Sequence, residues 1–305
     1  MPSRLLTLLI LIFWLATTIW FVVRDMLPEW QKGDAPPFSI ELADEAIRQV
    51  VPIRWKIVRD GEPIGTLRTQ LRFVEADDVY EFAAECSDLP LFDAALPLVG
   101  RIGITARKYT DVLRVTRDGE LRGIETQIVL AVRSGTGPPL VARAELSAEV
   151  RRGRLQRRLR VTATGLGEFA PELEPAELIR GSVLNPLHPI NRISGLKPGQ
   201  HWRQPLIAPH EEIIRAALAK LPGAETAAAA IRSDKPRWLD AAVQSATEMI
   251  DWDRGEVECL VIEYHADWHG EEFTARTWVR QSDGIVLRQE AVFQGQTLVL
   301  ERESG

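Results

Sequence analysis

The residues best suited to chemistry are the five histidines, and they fall into two groups. His265 and His269 alternate with Glu263 and Asp267 along EYHADWH, a spacing that sends all four side chains to one side of an extended strand, as metal ligands would be. A strand rises about 3.3 Å per residue, so the two imidazoles lie about 13 Å apart, whereas zinc needs each ligand atom at about 2 Å. The same strand pairing sets Arg276 between Glu263 and Glu290, and Arg288 opposite Glu301. These residues therefore read as a solvated charge ladder, and no metal is expected.

His188, His201 and His210 form the second group, with Asn185, Asn191 and Trp202 close by in the sequence. A catalytic histidine needs a nucleophile and an orienting acid. The chain has no G-x-S-x-G turn, no P-loop and no H-E-x-x-H, because His210 opens HEEII without a second histidine. No catalytic residue is assigned and no cofactor is implied. Trp202, His201 and His188 remain as candidates for ligand binding.

Cys86 and Cys259 are the two cysteines, and they permit either a bridge between strands or two buried thiols. Of the nine tryptophans, those past the first thirty residues read mainly as packing groups, with Trp278 beside Arg288 as a cation-π pair.

The elements that would position these groups begin with Leu5 to Val23, LLTLLILIFWLATTIWFVV, an uncharged run between Arg4 and Arg24. A helix rising about 1.5 Å per residue would carry it across a hydrocarbon core of about 30 Å. The run is longer than the core of a signal peptide and ends in Val-Val-Arg-Asp, so it reads as an uncleaved anchor, with Leu5, Ile10, Trp14, Trp20 and Val23 in or at the bilayer. Arg4 favours a cytoplasmic N-terminus, which places the rest of the chain on the periplasmic side of a bacterial inner membrane in a single pass. Residues 1–25 are thus an anchor, 26–38 a proline-rich stalk and 39–305 one exported β-rich domain. Its halves are 39–164 and 238–305, around an irregular and helical insert at 165–237.

The expected fold is mainly β with a few helices: a curved antiparallel sheet or half-barrel with helices on one face. Asp60-Gly61 and Asp118-Gly119 are hairpin signals. A turn at Arg152-Gly153 pairs Leu146 with Leu159, Ala144 with Val161 and Glu145 with Arg160, and both faces then agree in character. In 165–209 the strand period is lost amid Gly, Pro and Asn, the pattern of a functional loop or linker. PHEEIIRAALAKLP after it has a helical stripe of Ile213, Ile214, Ala217, Leu218 and Leu221.

The closing meander turns at His269-Gly270, Ser282-Asp283-Gly284 and Gln294-Gly295. It places Leu260, Ile262, Tyr264, Phe273, Ala275, Val279, Leu287, Ala291, Phe293, Leu298 and Leu300 on one core face.

This meander, TARTWVRQSDGIVLRQEAVFQGQTLVLERES, together with the opening WKIVRDGEPIGT, resembles periplasmic half-barrel domains related to the lipoprotein carriers LolA and LolB. It also resembles the β-domains that precede transglutaminase-like cores. The resemblance covers about a fifth of the chain and implies a curved antiparallel sheet whose concave face is covered by helices, in some of these domains enclosing a lipid or acyl ligand; neither carrier activity nor transglutaminase chemistry transfers with it. It carries over no catalytic residue.

Charge narrows the partners. The chain is acidic overall at −6, and beyond Arg24 it stands at −8, which gives no basic footprint for nucleic acid over the domain as a whole. The reading is a non-enzymatic, membrane-tethered envelope domain that meets membrane lipid and binds a hydrophobic ligand or an envelope protein partner. The alternatives are a hydrolase-type enzyme with an active-site loop in 185–210, and a structural accessory subunit of a membrane complex.

Overall fold

The computed structural model describes residues 13–20, 46–47, 51–96, 100–117, 120–134, 139–165, 167–177, 189–206, 213, 237–268, 271–293 and 296–304. The first meander is β1 (Ile53–Arg59), β2 (Glu62–Val74), β3 (Val79–Leu96), β4 (Gly100–Val115), β5 (Leu121–Ser134), β6 (Leu140–Arg151), β7 (Arg154–Ala163) and the short β8 (Gly167–Phe169) and β9 (Ala176–Glu177). The second comprises β10 (His201–Leu206), β11 (Arg237–Val243), β12 (Glu248–Trp252), β13 (Gly255–Trp268), β14 (Glu271–Arg280), β15 (Val286–Phe293) and β16 (Gln296–Arg302).

All of these belong to one 16-stranded sheet in the order β10-β11-β13-β14-β15-β16-β1-β2-β3-β4-β5-β6-β7-β8, with β12 beside β13 and β9 beside β7. The chain therefore enters in the middle of the sheet and runs to one edge. It reappears at the opposite edge and works back until β16 pairs with β1. A sheet wider than about ten strands curls.

One face is apolar across almost the whole width. Trp55, Leu67, Cys86, Tyr109, Ile128, Ala144 and Val161 stand in one row across β1 to β7, each opposite the next. All are buried except Tyr109, which is half-buried. Strand alternation accounts for this, since every second residue turns to the same side.

The turns hold the register. Asp60 and Gly61 have φ of 49° and 86°, and Arg152 and Gly153 have 53° and 73°, the left-handed pairs of tight hairpins. The predicted pairing of Leu146 with Leu159 and Glu145 with Arg160 is observed. At the three-residue loop Ser282 to Gly284, Gly284 has φ 76°, and a Cβ there would lie 2.7 Å from the carbonyl oxygen of Ile193. Only glycine fits that approach.

Two parts of the expected pattern change. Leu287 leaves the core face, because the register slips between Trp278 and Val279; Leu287 joins Cys259, Val261 and Trp278 on the outer face, and Gln289 is buried instead. The 165–209 segment also contributes β8, β9 and the edge strand β10.

No described helix is long and apolar enough to cross a membrane. Residues 13–20 are helical, and Trp14 and Trp20 are exposed on them, while Leu5, Ile10 and Val23 lie outside the described residues. Of the amphipathic segment at 209–222, Ile213 is described: it is helical and fully buried against Ile128, Leu130 and Leu146. The turns at Asp118-Gly119, His269-Gly270 and Gln294-Gly295 also lie outside the described residues.

Candidate functional site

The core face of the second meander is closed at one end by residues 189–200. The Ile193 amide donates to the carbonyl of Gly284 at 2.8 Å, and the Val286 amide donates to the carbonyl of Asn191 at 2.9 Å. The Asn191 side chain accepts from Arg302. These bonds press Ile190 and Ile193 onto a cluster that contains Trp55, Trp202, Leu239, Ile262 and Tyr264. Trp202 donates its indole N–H to Gln204 Oε1 at 2.8 Å and meets the Tyr264 ring edge-on at 6.4 Å. Burial pushes the Tyr264 phenol well above its ordinary pKa, against a hydrogen bond with Thr277 that lowers it.

The first meander holds a polar group on the same face. Asp111, 2% exposed, accepts a hydrogen bond from the Thr126 hydroxyl at 2.5 Å and another from Tyr109. Burial and the adjacent Asp111 carboxylate drive the Tyr109 phenol well above its ordinary pKa, which keeps it a donor. Nearby, the Trp55 indole donates to Thr69 at 2.9 Å. This cluster went unrecognised in the sequence. Its signal was present, because Tyr109, Asp111, Leu113 and Val115 alternate, and an acid at the apolar parity marks a buried carboxylate.

The outer face carries charge. Glu81 accepts from Arg72 at 2.6 Å and Arg114 at 2.8 Å, and Arg114 continues to Glu125 at 2.7 Å. Burial alone would raise the Glu81 pKa, but the two arginine hydrogen bonds outweigh it and hold the carboxyl below its ordinary value. In the second meander Trp278 lies between Arg276 and Arg288, each about 5.0 Å from its ring, and donates its indole N–H to Glu248.

The expected ladder is present: Arg276 stands between Glu263 and Glu290, and Arg288 opposite Glu301. Glu263 is engaged by Gln244 at 2.7 Å and by Arg276 at 3.4 Å.

His201 opens β10 next to Trp202, and alternation sends the two to opposite faces: Trp202 is buried in the core, His201 is exposed. They do not form one site. His188, His210 and His269 lie outside the described residues. His265 is exposed on the outer face beside Glu263. Cys86 and Cys259 are free thiols on opposite faces of the sheet, and burial pushes each to a pKa of about 11.

The arrangement defines an open, curved, antiparallel sheet with one apolar face and short covering segments. No family of known proteins matches the chain, and no curated protein matches it. Among solved structures, it is similar to a crystal structure described as a beta-barrel-like protein of Domain of Unknown Function DUF1849 from Brucella abortus. That protein is 11% identical, the match covers 83% of this chain and 96% of the other, and the TM-score is 0.39.

Proposed function

We propose that the chain is a non-enzymatic, membrane-tethered envelope domain whose core face receives a hydrophobic or lipid ligand. The supporting observation is the single-layer sheet with an apolar face running from β10 to β7. Such a face must be covered. The described cover includes Ala46, Leu173, residues 189–200 and Ile213, to which the helix read at 209–222 would belong; the face from β3 to β6 is already buried within the chain, so an acyl chain laid along it would take the place of part of that cover. Asp111, Tyr109 and Thr126 are among the polar groups of this lining, suited to orient a ligand's head group.

The Leu5 to Val23 run supplies the tether, with its N-terminus cytoplasmic and the sheet domain periplasmic. The test is solvent extraction and mass spectrometry of the full chain purified in mild detergent. A lipid recovered in fixed stoichiometry, and lost in an Ile128→Trp variant that fills the face, is the expected result. A lipid-free wild-type chain as stable as the filled variant would overturn the reading.

A further inference from the structure

The β6–β7 hairpin is strongly basic in an acidic protein: seven arginines against Glu145 and Glu149, in a chain of net charge −6. Three of the arginines are engaged, Arg151 with Glu149 at 2.7 Å, Arg160 with Glu168 at 3.1 Å, and Arg157 with the Glu174 carbonyl at 2.6 Å. Arg143, Arg152, Arg154 and Arg158 are exposed and have no ion-pair or hydrogen-bond partner among the described residues. Strand parity lays Arg143, Arg154 and Arg158 on the outer face, and Arg152 caps the turn with φ 53°. Arg154 has Glu177 of β9 as its cross-strand neighbour, while Arg143, Arg152 and Arg158 are left to meet an anionic surface.

The hairpin's place in the fold says which plane. β2, β4 and β6 all run toward the same end of the sheet, so Val74, Val115 and Arg151 lie there, with the turns at 75–78 and 152–153. Ala46, on the domain side of the hydrophobic run, packs at that end against Leu71, Tyr80 and Val115. The chain therefore enters the domain at the end that carries the arginine turn.

We infer that the β6–β7 hairpin docks the domain on anionic phospholipid head groups, as a second membrane contact beside the tether. This rests on the tethered reading for its choice of surface. One hydrophobic segment and a basic patch together form the two-signal arrangement that holds a domain flat on a bilayer. A second copy of the chain is the competing occupant, through the β12–β13 hairpin, where Glu248 is held by Arg276 and Trp278 and Glu258 by Thr247 but Asp251, Asp253 and Glu256 are exposed; whether the arginines hold a self-associated species decides for or against it.

The test is flotation of the full chain with vesicles of phosphatidylcholine alone, and of phosphatidylcholine with phosphatidylglycerol. Binding to the first reports the tether, and the extra binding to the second reports the hairpin, so the two readings fail separately. Replacing Arg152, Arg154 and Arg158 by Gln should remove a preference of about 100-fold for the anionic vesicles. High salt should remove it too, with the thermal melt unchanged. Changing the distant exposed Arg107 to Gln should leave the preference intact. The inference is overturned if the triple variant keeps the preference. It is also overturned if a duplex oligonucleotide displaces the wild-type chain from the vesicles, or if the arginine changes only dissolve a self-associated species.

Discussion

In the first meander Leu67, Cys86 and Ile128 face the core while Arg72, Glu81 and Arg114 interlock on the other side; in the second, both sides are packed. There Leu260, Ile262 and Tyr264 fill the core face, while Cys259, Val261, Trp278 and Leu287 are buried on the outer face with Ile250, Trp252 and Val257 against them. The difference lies in β12, which folds back beside β13 and brings Glu248 over Trp278 and Trp252 under Arg280. A half packed on two sides draws stability from both faces. The other half keeps one face for charge, with Glu81 buried there among its arginines, and holds a second buried carboxylate, Asp111, within the core lining.

The largest expected effect tests that two-sidedness. Trp278→Ala should cost about 3 kcal/mol in denaturant unfolding, whereas Val112→Ala, half-buried on the outer face of β4, should cost under about 1 kcal/mol. Equal losses at the two positions would erase the contrast. Next, Asp111→Ala strips the acceptor from Thr126 and Tyr109 and should cost about 2 kcal/mol, with Asp111→Asn costing less because it keeps an acceptor oxygen. If the two variants unfold alike, the carboxylate is a bystander.

The smallest effect concerns the charged face. Glu81 has a folded pKa below its ordinary value, so its contribution is present above that value and fades as pH falls through the folded pKa. Arg72 is two-thirds exposed, which limits the contribution to about 1 kcal/mol. Glu81→Gln should therefore be less stable than wild type at neutral pH, and the gap should narrow as pH falls below the ordinary glutamate range and close once it passes below the lowered folded pKa, read in acid-unfolding curves. A gap independent of pH would mean that packing, not charge, holds Glu81 in place.

Much of the sheet was legible because alternation is a strong signal where one face is buried. Leu146, Leu159, Ala144 and Val161 could sit in a single register without moving their charged neighbours inward. Leu287 was misplaced because a bulge adds one residue to a strand and leaves no mark in composition. β10 was hidden by Pro205, which breaks a strand pattern; among the described strands β10 is hydrogen-bonded to β11 alone, and an edge strand tolerates proline's missing N–H. The histidines drew attention through their chemistry, yet the buried carboxylate on the core face is Asp111, with Thr126 and Tyr109. Alternation could point to Asp111 and to Tyr109 two residues before it, but Thr126 comes from the neighbouring strand, which local sequence does not name.

The pairing of β1 with β16 has a consequence for how the protein is made. Lys56 and Glu301 are partners in the middle of the sheet, so the strand synthesised near the start waits with an open edge until the last one emerges. Loop closure over nearly the whole chain makes this a late and slow step. Until it is complete, the half-finished sheet exposes a bare strand and an uncovered apolar face. The nascent chain is therefore most prone to misassembly in the interval before its final strand arrives, and most dependent then on a chaperone that shields strand edges.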